Sequence, residues 1–237
     1  MSGFYDAAMN TSGNAWAGVR ERVRELARAP GAGDVFGAGA HGFELSDPLT
    51  PAELAELEEY LGLRLPEEYR AFLLLVGAGG AGPAYGVFPV GRGEDGRWRW
   101  DGDGSDLVVP ERLGEPFPVT DPTSEPLEVL RAREPAEEDF EDFEGFETAC
   151  DAWEERVGDL LWSGERTVGA VCLCHLGCAL RQWLVVSGPE AGRMWQDSRA
   201  DGVGLRPLTD DGGTPLTFAD WYLGWLHGVS RSAGGRP

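Results

Sequence analysis

The chain has 237 residues, 42% hydrophobic and 10% aromatic, enough apolar material for one large domain or two small ones with a core that needs no staples. Its 41 acidic residues oppose 20 basic ones, and a formal charge of −21 disfavours phosphate backbones and anionic lipid while favouring basic proteins. The opening "MSGFYDAAMN" lacks a basic start and an apolar run, and no stretch approaches the roughly 18 apolar residues of a membrane span, so a soluble, cytoplasmic protein with reduced thiols is expected.

Residues 13–29 place Trp16, Val19, Val23 and Leu26 at spacings of three and four, which predicts an amphipathic helix ended by the Gly-rich run from Pro30 to Gly42. A second helix starts with Thr50 as cap, Pro51 in the first turn and Glu53 completing a capping box. Leu54, Leu57 and Leu61 form its stripe and Gly62 stops it. Pro66 then opens a third helix whose Tyr69, Phe72, Leu73 and Val76 face inward.

Beyond Gly82 the runs "AYGVFPV", "RWRW" and "DLVV" read as short strands between Gly, Asp and Pro. Prolines 116, 118, 122, 126 and 135 mark a long connection. It leads to an acidic helix on which Phe140, Phe143, Glu147, Cys150, Trp153, Val157 and Leu160 recur at helical spacing. That pattern suits a solvated surface helix or a docking surface for a basic partner. Three strand-like runs follow, "TVGAVCLC", "QWLVVSG" and "GRMWQDS", then a closing helix with Phe218, Trp221, Tyr222 and Trp225 on one face. The polar tail after position 228 is expected to be disordered.

Cys172, Cys174, His175 and Cys178 crowd into seven positions and raise the question of a metal or redox centre. Alternation in a strand sends both Cys172 and Cys174 to one face and His175 to the other. The spacing C-x-C followed by H-x-x-C lacks the separated cysteine pairs usual for zinc, and there is no C-x-x-C at a helix start. Buried cysteines in a hydrophobic hairpin account for it better. "DGDGSD" imitates the start of a calcium loop, but Asp106 stands where glycine is needed and Arg112 where the bidentate glutamate belongs. Three G-x-G-x-x-G matches sit outside any strand-to-helix turn, and among 35 glycines about one such match arises by chance. His41 and His227 have no neighbouring nucleophile, and there is no G-x-S-x-G. No catalytic, cofactor-binding or metal-binding residue is assigned.

The run from Leu49 to Gly80 resembles the opening of the SUKH superfamily, through Leu49-Thr50, Leu57-Glu58, Leu61-Gly62, Leu65-Pro66, Tyr69 and Phe72-Leu73. A second block resembles that family's central sheet, through Gly177-Cys178, Leu184-Val185-Val186, Gly188, Gly192, Trp195 and Asp197, and "FADWYLGWL" resembles its closing helix. Two features depart from the pattern: "GAGG" stands where an asparagine often precedes the glycines, and the acidic insert from Glu134 to Glu147 is long.

The resemblance implies a single α+β domain over 45–228, a mostly antiparallel sheet flanked by helices, preceded by the helix and linker of 1–44. It makes Gly177-Cys178 a turn between strands and gives Trp195 and Asp197 structural roles. The family contains fungal cell-wall-synthesis regulators and bacterial immunity proteins. Arginine is the only basic residue besides histidine, and isoleucine is absent, a codon bias that suits a bacterial source. The expectation is a non-catalytic binding protein that neutralises a basic, often nuclease, toxin domain without cofactor. The alternatives are a regulatory adaptor for a cellular protein, or a thiol or metal enzyme built on Cys172, Cys174 and Cys178. Partner contact is expected at Glu137, Glu138, Asp139, Glu141, Asp142 and Glu144.

Overall fold

The computed structural model describes residues 15–234. Helices α1 (Val19–Leu26), α2 (Ala38–His41), α3 (Pro51–Leu61) and α4 (Glu67–Leu75) lead into a two-stranded ribbon, β1 (Val90–Arg92) and β2 (Trp98–Trp100). Helices α5 (Ser124–Arg131) and α6 (Phe143–Leu161) follow, then β3 (Ala170–Gly177), β4 (Leu180–Val185), β5 (Met194–Ser198), β6 (Gly204–Pro207) and the closing helix α7 (Phe218–Gly234). Both sheets are antiparallel, the larger in the order β3-β4-β5-β6, so the α+β class predicted from sequence holds.

Helix starts follow their local chemistry. The Thr50 hydroxyl accepts from the Glu53 amide at 3.2 Å and the Glu53 carboxylate from the Thr50 amide at 2.8 Å, closing the capping box expected for α3. One aromatic knot joins the chain's ends. Trp16, on the turn before α1, lies 5.5 Å from Phe72 of α4 and 5.8 and 5.7 Å from Phe218 and Tyr222 of α7. The N-terminal helix therefore shares the core of the later elements. Residues 13 and 14 of its expected span lie outside the described residues.

The "GAGG" glycines thread a crowded crossing. A Cβ on Gly79 would sit 2.4 Å from Pro89 Cα, and one on Gly80 2.4 Å from the Glu44 carbonyl, while Gly80 bridges both Leu45 and Val87.

Several expectations are corrected. "DLVV" is no strand: Gly104, at φ 89°, turns the chain into a 3₁₀ turn over Ser105–Leu107. The proline-rich connection contains α5, whose Pro126 sits in the first turn where its missing N–H breaks no helical bond, and whose Leu127 and Leu130 are buried. Strand β6, unrecognised in the sequence, pairs with β5 from Ser198↔Gly204 to Trp195↔Pro207. The tail expected to be disordered from 229 is helical to Gly234, because Val229 is buried and gives the extra turn an apolar anchor. Residues 235–237 lie outside the described residues.

Candidate functional site

The cysteine-rich stretch forms the β3–β4 hairpin. Cys172 and Cys174 are fully buried, and a bulge between them interrupts the simple alternation assumed from sequence. Their sulfurs approach different backbone carbonyls, Cys172 that of Asp103 at 3.9 Å and Cys174 that of Pro83 at 3.2 Å. Burial pushes both thiols up, Cys174 to about 12, so neither carries a thiolate at neutral pH. His175 stacks on Tyr85 at 5.5 Å and lies 3.5 Å from the Asp103 carboxylate. Asp103 in turn accepts from Arg181 Nε at 3.0 Å, so the false calcium loop spends that carboxylate on the hairpin. Cys178 is exposed in the two-residue turn, where Cys178 and Ala179 have φ of 52° and 58°, as a type I′ turn requires. Among the described residues, no three histidine, cysteine or acidic side chains are placed to share a metal ion.

The family-motif residues fall into two connected places. Leu65, Tyr69 and Phe72 are buried at and within α4, and Tyr69 accepts a hydrogen bond from Trp100 Nε1 at 2.8 Å. Trp195 packs its ring 4.7 Å from Phe117, while Gly188 and Gly192 turn the β4–β5 connection at φ of 89° and 90°. The two sequence blocks meet where Pro66 and Gly192 line one shallow groove. Asp197, wholly buried, accepts from Arg199 at 2.9 and 2.7 Å and from Trp183 Nε1 at 3.1 Å.

The acidic insert looks outward. Glu137, Glu138, Asp139, Glu141, Asp142 and Glu144 are all exposed. Asp142 also has a structural role, because its carboxylate accepts from the Gly145 amide at 2.8 Å and caps α6. Residues 134–161 hold twelve carboxylates against one arginine, Arg156, and so account for about half of the −21 net charge. The field reaches Cys150, whose thiol is pushed up first by desolvation and then by Glu154, Asp151, Glu134 and Glu147.

Helix α6 carries the predicted stripe from Phe143 onward, but Asp142 caps it and Phe140 lies before it in extended backbone, and none of its 19 residues is fully buried. It packs on α5, with Trp153 Nε1 donating to the Leu130 carbonyl at 2.8 Å, and the pair frames a groove of 710 Å³. The far end is tied down. The Leu161 carbonyl accepts from Arg166 and from Arg199, each at 3.2 Å, so two buried guanidinium groups meet the negative end of the helix dipole. Trp162 lies beneath Arg199 at 5.0 Å and Arg181 at 5.7 Å. Sequence reasoning missed Arg166 and Arg199, because a lone arginine reads as surface until its partners are in place.

Comparison with family models matches residues 48–156 to the SMI1 / KNR4 family (SUKH-1). The matched segment runs from just before α3 into α6 and stops short of the four-stranded sheet. Comparison with curated proteins and with solved structures finds no match. No helix among the described residues is long and apolar enough to cross a membrane.

Proposed function

The chain belongs to the SUKH superfamily, whose members act through protein–protein interaction, and on that premise we propose that it is an immunity protein that binds and neutralises a basic toxin domain. The observation that carries this reading is a long helix and its leading insert that bury no side chain fully and face solvent with twelve carboxylates. Such a surface steers a cationic partner to rapid encounter and would lie across a cleft built for nucleic acid. The family is generally non-catalytic, which fits a hairpin whose buried thiols hold their protons. Glu137, Glu138, Asp139, Glu141, Asp142 and Glu144 are the proposed contact residues.

The test is co-expression with the C-terminal domain of a toxin-like protein encoded beside this chain. Protection of the cells, together with a stable complex on co-purification, is the expected result. A toxin that still kills, while this chain captures a cellular protein instead, would favour the regulatory adaptor reading over immunity.

A further inference from the structure

We propose that α5 and α6 form an arm that opens as a unit while the rest of the fold stays closed. The Arg166 and Arg199 guanidinium groups on the Leu161 carbonyl latch it, and the repulsion among its own carboxylates works against that latch.

The arm stands outside the main core. That core joins Trp16 and the early helices to the ribbon, the larger sheet and Val229 of α7, yet no hydrophobic side chain between residues 118 and 169 is part of it. Leu127 and Leu130, the buried residues of α5, lie apart from it, and α6 buries no side chain fully. Opening the arm therefore forfeits little of the apolar burial that keeps the sheet closed.

Polar bonds tie the arm down instead. Apart from bonds to the segments that lead into and out of it, its one hydrogen bond to the rest of the described residues comes from Arg199, whose Nη1 donates to the Leu161 carbonyl at 3.2 Å. Arg166, on the exit segment, donates to the same carbonyl at 3.2 Å and pairs with Asp121 on the entry segment, so it pins both ends of the arm together. Trp162 lies beneath these groups, 5.0 Å from Arg199 and 5.7 Å from Arg181 of β4.

Charge opposes the latch. The twelve carboxylates of residues 134–161 make no ion pair among the described residues. The Cys150 thiol registers their field, being pushed up by desolvation and then by four of them. Opening lets these charges move apart, so salt that screens them favours the closed arm. A polycation bound over them acts in the same direction, which couples closure of the arm to occupancy of its acidic face.

The test is native-state hydrogen exchange of the full chain, read by mass spectrometry at neutral pH. After correction for intrinsic rates, amides of α5 and α6 are expected to exchange together, at least about a hundredfold faster than those of β3 and β4. Sodium chloride raised to about 0.5 M, or about 1 mM spermine, should slow the arm's amides about threefold and leave the strands unchanged. Trp162→Leu keeps both guanidinium groups but removes the ring beneath them, and should speed the arm's exchange about tenfold with no effect on the strands. Exchange in α6 no faster than in β3 and β4 overturns the proposal. So does a Trp162→Leu variant in which arm and strands speed up equally, the signature of one cooperative unit, or arm exchange that neither salt nor spermine alters.

Discussion

The β3–β4 hairpin and the α5–α6 pair stand at opposite extremes of the molecule. In the hairpin, Ala170 to Cys174 and Trp183 to Val185 have no accessible surface at all, and the thiols are committed to packing and to nearby carbonyls. In α6, nineteen residues bury nothing completely, and the carboxylates that surround them have few partners within the chain. The buried sulfur of the hairpin serves packing, whereas the acidic helix is exposed and is where we propose that a partner binds. The two regions meet where Trp183 of β4 and Arg199 both bond to Asp197 of β5 and Arg199 holds the end of α6, and where Arg181 of β4 lies over Trp162.

That junction gives the largest expected effect. Asp197→Ala leaves Arg199 buried without its counter-charge and should cost about 3–5 kcal/mol, read by chemical denaturation. A loss below about 1 kcal/mol, the scale of an exposed pair, would show that the junction is not what couples the regions. Next comes the hairpin. Cys172→Ala with Cys174→Ala should cost about 1–2 kcal/mol through lost packing. Alanine is the informative replacement, because serine would bury hydroxyl groups in the same place. Thiol labelling of the native chain at pH 8 should modify Cys178 quickly, Cys150 slowly and the buried pair only on unfolding. The pH dependence has a definite sign. An unfolded thiol ionises near 9 and Cys174 only near 12, so the unfolded state sheds the proton first and stability falls as pH rises through that window.

On the α6 side the effects on stability are smaller. Trp153→Phe removes one hydrogen bond and should cost about 1 kcal/mol. The hairpin turn gives a gain of similar size: Cys178→Asn with Ala179→Gly relieves two left-handed residues and should stabilise by about 0.5–1 kcal/mol. Glu147→Gln should change stability by less than about 0.5 kcal/mol, since the carboxylate is exposed. A large loss there would mean that the acidic face supports the fold after all.

Much of this contrast is legible in the residues. Thr50, Pro51 and Glu53 announce α3 by local chemistry alone, and the apolar runs around Leu173 and Leu184 announce buried strands. What escapes depends on contacts distant in sequence. Pro126 disguises α5 because proline signals a break unless the helix start is known. Strand β6 has four residues and no apolar alternation, and only its neighbour β5 defines it. The stripe on α6 reads as helical, but periodicity cannot say whether an apolar face is covered. Charge alone singles out the proposed contact residues, and the structure adds that Asp142 is also the cap of α6. A charge-reversal test should therefore spare it.

The most direct measurement is the association rate of the chain with a toxin domain of the kind proposed as its partner, compared with the variant Glu137→Lys, Glu138→Lys, Asp139→Lys, Glu141→Lys at low and high salt. If the acidic insert steers the partner, the variant associates about ten- to a hundredfold more slowly at low salt, the difference shrinks as salt is raised, and the fold is unchanged. An association rate identical in both proteins at low salt would contradict this and take the acidic insert out of the interface.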